Sequence, residues 1–129
     1  MKILLISDNE WVKESLEKYL DFDHELTHEK ENTQIDFYFD YIFVDMQVQN
    51  NGGPSIIREL KRKDSTKNSF FVLLADREAD EIQAKRVESN GFMVKPITKS
   101  KINTTPPIIE YFIIWALFSS STFFRYSSC

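Results

Sequence analysis

Tyr41-Ile42-Phe43-Val44-Asp45 decides the reading: four apolar residues run together without alternation and stop on an acid. A short continuous run of this kind suits a strand buried on both faces of a parallel sheet, not a half-exposed antiparallel one. Working outward, the same pattern recurs. Ile3–Ile6 stops at Ser7-Asp8, Phe70–Leu74 stops at Ala75, and Phe92–Val94 stops at Lys95 followed by Pro96. Between these runs the apolar spacing becomes helical. Val12, Leu16, Tyr19 and Leu20 form a stripe behind Asn9, a good N-cap residue. Gly52-Gly53-Pro54 opens a second helix with Ile56, Ile57 and Leu60 inward. A third is expected from about Glu78 to Ser89, carrying Ile82 and Val87 and stopping before Gly91. The stretch from His24 to Asp40 predicts a short strand near 25–27 and a shortened or irregular helix before Tyr41. Strands alternating with helices give an α/β doubly wound sheet.

Composition bounds the rest. The 129 residues are 42% hydrophobic and 28% charged, ordinary for one globular domain. A net charge of -4 argues against a nucleic-acid-binding face, which carries a basic excess. One cysteine, Cys129, allows neither a disulfide framework nor a cysteine metal cluster. The apolar N-terminal run is too short for a signal peptide, so a cytoplasmic location is expected.

Residues 1–97 read as the core and 98–129 as a last helix plus an apolar tail. After residue 96 only Lys99, Lys101, Glu110 and Arg125 carry charge. Thr105-Pro106-Pro107 reads as a helix start, and apart from Glu110 residues 108–118 are apolar on every side, so they call for burial. Three readings stay open: a final helix packed on the sheet, a contact with a partner, a second copy of the chain or a membrane, or non-native residues such as an out-of-frame read. The stretch is too short and interrupted for a membrane span. No output domain fits after Ile97, so the chain reads as a stand-alone unit or a piece of a longer one.

The chemistry-bearing residues stand where strands end. In an open parallel sheet the carboxyl ends of the strands line the binding crevice. Asp8, Asp45 and Lys95, drawn from three strands, therefore converge. An aspartate can accept phosphate as an acyl phosphate, oxygen ligands suit Mg²⁺, and a lysine ammonium offsets phosphoryl charge.

On these residues the chain resembles the receiver domain of two-component response regulators, over roughly residues 2–97. Lys2–Asp8 is similar to the family's first strand and acidic pocket, and Phe43-Val44-Asp45 to its phosphoacceptor segment. Gly53 falls where a glycine begins the third helix, and Ala75 where the family keeps a switch Thr or Ser. Phe92–Pro96 matches the switch aromatic and Lys-Pro turn. The resemblance implies a flavodoxin-like five-stranded sheet of order 2-1-3-4-5. It implies Asp45 as phosphoacceptor and Lys95 as the phosphoryl contact. Phe92 would be the switch aromatic, and Asp8, Asp45 and the Gln47 carbonyl would hold Mg²⁺. The partner would be a sensor histidine kinase or phosphotransfer protein, with the chain itself not an enzyme.

The departures matter equally. Ser7-Asp8, or Asp8-Asn9 if the alignment slips by one, stands where the family has two adjacent acids; either way one carboxylate is gone, which predicts weaker cation binding. Ala75 lacks the hydroxyl that draws a loop toward the phosphoryl group. Gln49 replaces a proline, and the span from Asp8 to Asp45 is several residues short. Such an atypical pocket leaves an alternative, a pseudo-receiver acting through protein contacts alone.

His24-Glu25-Leu26-Thr27-His28 spells H-E-x-x-H, which on a helix binds zinc through both histidines with the glutamate as general base. The surrounding Asp21, Asp23, Glu29, Lys30 and Glu31 and the lack of a third ligand predict a solvated segment instead.

Overall fold

The computed structural model describes residues 1–20, 23–31, 35–103 and 124–125. Its elements are β1 (Lys2–Ile6), α1 (Glu10–Tyr19), β2 (Glu25–Glu29), β3 (Tyr41–Asp45), α2 (Val48–Asn51), α3 (Gly53–Leu60), β4 (Phe70–Ala75), a 3-10 turn (Glu78–Asp80), α4 (Glu81–Arg86), β5 (Gly91–Val94), α5 (Lys99–Asn103) and β6 (Phe124–Arg125). The strands form one sheet in the order β2-β1-β3-β4-β5-β6, and all adjacent pairs are parallel. The expected order 2-1-3-4-5 therefore holds, extended by β6 beside β5. Two residues cannot display a period, so the sequence carries no signal for that sixth strand. The helix expected from Thr105 to Phe118 lies outside the described residues.

Strict alternation along the strands builds two apolar layers. Leu4, Ile6, Ile42, Val44, Phe71, Leu73 and Phe92 face one way and pack against Ile56, Ile57 and Leu60 of α3 and Ala84 of α4. Ile3, Leu5, Phe43, Val72, Leu74 and Met93 face the other way, against Val12 and Leu16 of α1 and Ile102 of α5. Each central strand is buried along its length, which is why its sequence runs apolar instead of alternating. Asn9 caps α1 as its position predicts, its side chain accepting from the Trp11 N–H at 2.9 Å.

Two expectations are corrected. Ile82, counted among the apolar residues of the expected third helix, is 62% exposed; α4 is only six residues long and packs through Ala84, with Val87 buried just after it. The helix ends at Arg86 and turns at Glu88, whose φ of 58° takes the left-handed role that Gly91 was expected to play; Gly91 opens β5 instead. Between β2 and β3 the described residues contain no helix. β2 alternates, with Glu25, Thr27 and Glu29 on the face where a covering helix would sit, so little apolar surface there calls for burial. Ile35 and Phe39 close that corner from an irregular segment and leave a cavity of about 300 Å³ beneath Phe37 and Tyr38.

H-E-x-x-H falls on this strand. His28 lies within β2 and His24 just before it. Extended backbone sets residues four apart roughly 13 Å from one another, too far to share one zinc ion.

Candidate functional site

The site forms at the carboxyl ends of β1, β3, β4 and β5. Asp45, the last residue of β3, is 1% exposed. Its carboxylate sits among three hydrogen-bond donors, which offset the cost of burying it. The Lys95 ammonium lies 2.7 Å from Oδ1. The Gln47 backbone N–H donates to the same oxygen at 3.1 Å, and the Ser7 hydroxyl donates to Oδ2 at 2.8 Å. Three of the four lone-pair directions are thus in use, and one on Oδ2 remains.

Ser7 is held from both sides. Its hydroxyl accepts the Asn9 N–H at 3.0 Å, and its carbonyl accepts from His28 Nε2 at 2.7 Å, which puts that ring's proton on Nε2. Successive residues at a strand end point opposite ways. Ser7 is buried against Asp45, and Asp8 is exposed at the next position. Sequence reasoning treated Ser7 as a lost acid; the fold makes it a direct hydrogen-bond partner of Asp45.

Lys95 follows β5 at the cis Lys95–Pro96 peptide, its N–H bonded to the Ala75 carbonyl at 2.8 Å. The turn is braced by Lys101, whose ammonium donates to the carbonyls of Val94 at 2.6 Å and Pro96 at 3.0 Å. Burial pulls the Lys95 pKa down. Hydrogen bonds and charge from Asp45 and Asp76 outweigh that and hold it above the ordinary lysine value. Asp76 is a site residue the sequence reading missed: its Oδ1 lies 2.9 Å from the same ammonium. It directly follows β4, so the strand-end reasoning that found Asp45 and Lys95 reaches it once Ala75 is not taken as the last residue of interest.

Ala75 and Phe92 are both fully buried and belong to one apolar cluster, Phe92 being turned into the core. Gly53 meets the back of the site. A Cβ built there would stand 2.5 Å from the Asp45 carbonyl oxygen, so only glycine lets α3 approach this closely. Gln49 and Asn50 adopt left-handed φ values of 52° and 57°. A proline, fixed near −65°, cannot take the first of these.

Of the residues expected to hold Mg²⁺, Asp45 is buried with one Oδ2 lone pair unused and Asp8 is exposed at the position after Ser7, both offering hard oxygen. That chemistry suits Mg²⁺, which keeps several waters and needs few protein ligands. Among the described residues no group of three or more His, Cys, Asp or Glu could hold a metal ion. Any cation here therefore relies on few anionic ligands.

No protein-family model matches the sequence, and no curated protein matches it at a significant level. Solved structures do match. The signal receiver domain of a two-component histidine kinase from Clostridium thermocellum superposes with a TM-score of 0.72 at 12% identity, over 84% of this chain and 97% of that one. A response regulator from Burkholderia pseudomallei, described with a phosphorylated aspartic acid, a calcium ion and citrate, matches at 0.63 and 21%, over 90% and 73%. A Rhodopirellula baltica protein named adenylate cyclase matches at 0.65 and 24%, over 79% and 81%. Likeness at such identities speaks for architecture, not activity. The sheet order, the helices on both faces and these superpositions agree: the chain has the fold of a response-regulator receiver domain.

Proposed function

We propose that the chain is a signalling receiver that accepts a phosphoryl group on Asp45 from the phosphohistidine of a partner kinase or phosphotransfer protein. The observation that carries this reading is the Lys95 ammonium, 2.7 Å from Asp45 Oδ1 at the carboxyl edge of the sheet. In the transfer an Asp45 carboxylate oxygen attacks phosphorus and the P–N bond breaks. The electron pair returns to the imidazole, leaving an acyl phosphate on Asp45. Lys95 then stabilises phosphoryl oxygens, and the Gln47 N–H and Ser7 hydroxyl keep the carboxylate oriented. Asp8, Asp45 and the Gln47 carbonyl are the residues to hold Mg²⁺, which supplies charge to offset the phosphoryl oxygens. The chain is on this reading a phosphotransfer partner, not an enzyme, and works in the cytoplasm. Among the described residues no helix is long and apolar enough to cross a membrane.

The test is Mg²⁺-dependent labelling of the purified chain by acetyl phosphate or a phosphorylated kinase domain, read by mass, beside Asp45→Asn. A phosphoryl mass gain in the wild type, absent in the variant, is expected. No gain in the wild type defeats the proposal. A second reading, a pseudo-receiver acting through protein contacts, is favoured by one feature: Ser7 and Lys95 already satisfy Asp45 without any ligand. It predicts partner binding unchanged in Asp45→Ala.

A further inference from the structure

Lys95 does not serve Asp45 alone. One ammonium bridges two carboxylates, the buried one of Asp45 (2% of its side chain exposed) and the open one of Asp76 (33%). Asp76 stands next to Ala75, at the end of β4. There the strand offers no hydroxyl to attract a phosphoryl group and the following residue offers a negative charge. The carboxylate lost from the end of β1, where Ser7 stands, is thus balanced by one at the end of β4.

We propose that Asp76 is a positioning residue that holds Lys95 in the resting site and competes with an incoming phosphoryl group for it, so limiting how readily Asp45 is phosphorylated. The inference rests on the phosphoacceptor reading of Asp45. In the resting state the pair of ion contacts, at 2.7 and 2.9 Å, fixes an otherwise flexible four-carbon side chain beside the nucleophile. Phosphorylation turns the single negative charge of the Asp45 carboxylate into about −1.5 to −2 on the phosphoryl oxygens. The phosphoryl group claims the same ammonium, and Asp76 becomes a like charge on the far side of that ammonium. The loop after β4 is then repelled where an attractive hydroxyl would draw it inward, and Asp76, being surface-exposed, is free to yield outward.

Removing the charge while keeping the shape lifts the competition. With the full chain and Mg²⁺, Asp76→Asn is expected to bind beryllofluoride more tightly and to label faster with acetyl phosphate, by roughly three- to tenfold. Asp76→Glu, which keeps the charge, should stay within about twofold of wild type, and the gain in Asp76→Asn should shrink in molar salt as screening replaces it. A structural role alone would not produce a gain, nor its rescue by glutamate. A second readout needs no phosphoryl group: the Lys95 ammonium NMR cross-peak in metal-free protein, sharp in wild type and Asp76→Glu, broadened by exchange in Asp76→Asn. Equal or slower labelling of Asp76→Asn, with wild type and variant both folded and both labelled, overturns the competition alone. An unchanged ammonium signal in that variant overturns the hold on Lys95. No label in either protein defeats the Asp45 reading and the competition with it.

Discussion

Gly53→Ala tests how the helix is seated against the phosphoacceptor strand. The added methyl carbon would lie 2.5 Å from the Asp45 carbonyl oxygen and 2.9 Å from Met46 Cα, where ordinary contact begins at 3.4 Å. The backbones must therefore part by about 0.9 Å, and neither obstacle is a side chain that can turn aside. Parting also weakens the Gly53 N–H to Met46 carbonyl bond, already at 3.2 Å. Overpacking a filled site costs about 1–3 kcal/mol, and the strained hydrogen bond adds up to about 1. Against this stands the ordinary gain of roughly 0.4–1 kcal/mol from replacing glycine at a φ that alanine can adopt. The net loss is about 1–3 kcal/mol. In urea, with a slope of about 1–2 kcal/mol per molar for a domain of this size, the unfolding midpoint should fall by roughly 0.5–3 M. Gly52→Ala is the control, since its new carbon meets nothing nearer than 3.1 Å. A Gly53→Ala midpoint at or above wild type, or equal losses at both glycines, would refute the argument from close approach.

Tyr41 and Gln49 give two more. Burial first, then the charge of Asp40, raises the Tyr41 pKa far above its ordinary value. A group raised on folding contributes stability that is complete below its unfolded pKa and is lost as pH climbs toward the folded one. Wild type should therefore lose about 1.4 kcal/mol per pH unit above pH ~10 through Tyr41. Tyr38 and Lys95, also raised, work in the same direction, and Lys61 and Lys101, lowered by burial, work against it, so the Tyr41 contribution is read as the difference between wild type and Tyr41→Phe, which should fall less steeply there; an unchanged profile refutes the assignment. Gln49→Pro forces a residue fixed near φ −65° into a site at 52° and should cost about 2–3 kcal/mol, whereas Gln49→Gly should gain up to about 1. If proline is neutral in thermal melts, the left-handed turn after β3 is not what excludes it.

The parallel sheet was legible because β1, β3 and β4 are buried on both faces and so read as unbroken apolar runs. β2 was placed but shortened. Its Glu-Leu-Thr-His-Glu alternation marks a half-exposed edge strand, and its charged ends look like loop. Asp45 and Lys95 were found from strand-end position, and the structure joins them. What stayed hidden is orientation. Sequence says that Ser7 and Asp8 both follow β1, but only the backbone decides that Ser7 turns inward. Asp76 was hidden differently: in Asp76-Arg77-Glu78 it reads as the first charge of a solvated loop.

Ser7 is where the resting site and the proposed chemistry meet. Its hydroxyl satisfies Asp45 Oδ2 without adding charge, so the pocket is comfortable empty. Ser7→Asp restores the two adjacent acids that the resemblance leads one to expect, and sets a second carboxylate 0% exposed against the first. Two carboxylates at hydrogen-bond distance cannot both stay ionised cheaply. Without a cation the variant should lose about 2–4 kcal/mol at neutral pH, the scale of an uncompensated buried charge. A divalent ion offsets the loss. At a Mg²⁺ concentration a hundredfold above its dissociation constant, binding returns about 2.7 kcal/mol. Melting curves of both proteins with and without Mg²⁺ therefore separate two designs. A large Mg²⁺ gain in the variant and a small one in wild type means that Ser7 trades cation affinity for a stable resting pocket. Equal gains in both mean that Asp8 and Asp45 hold the ion alone and the serine costs the site nothing.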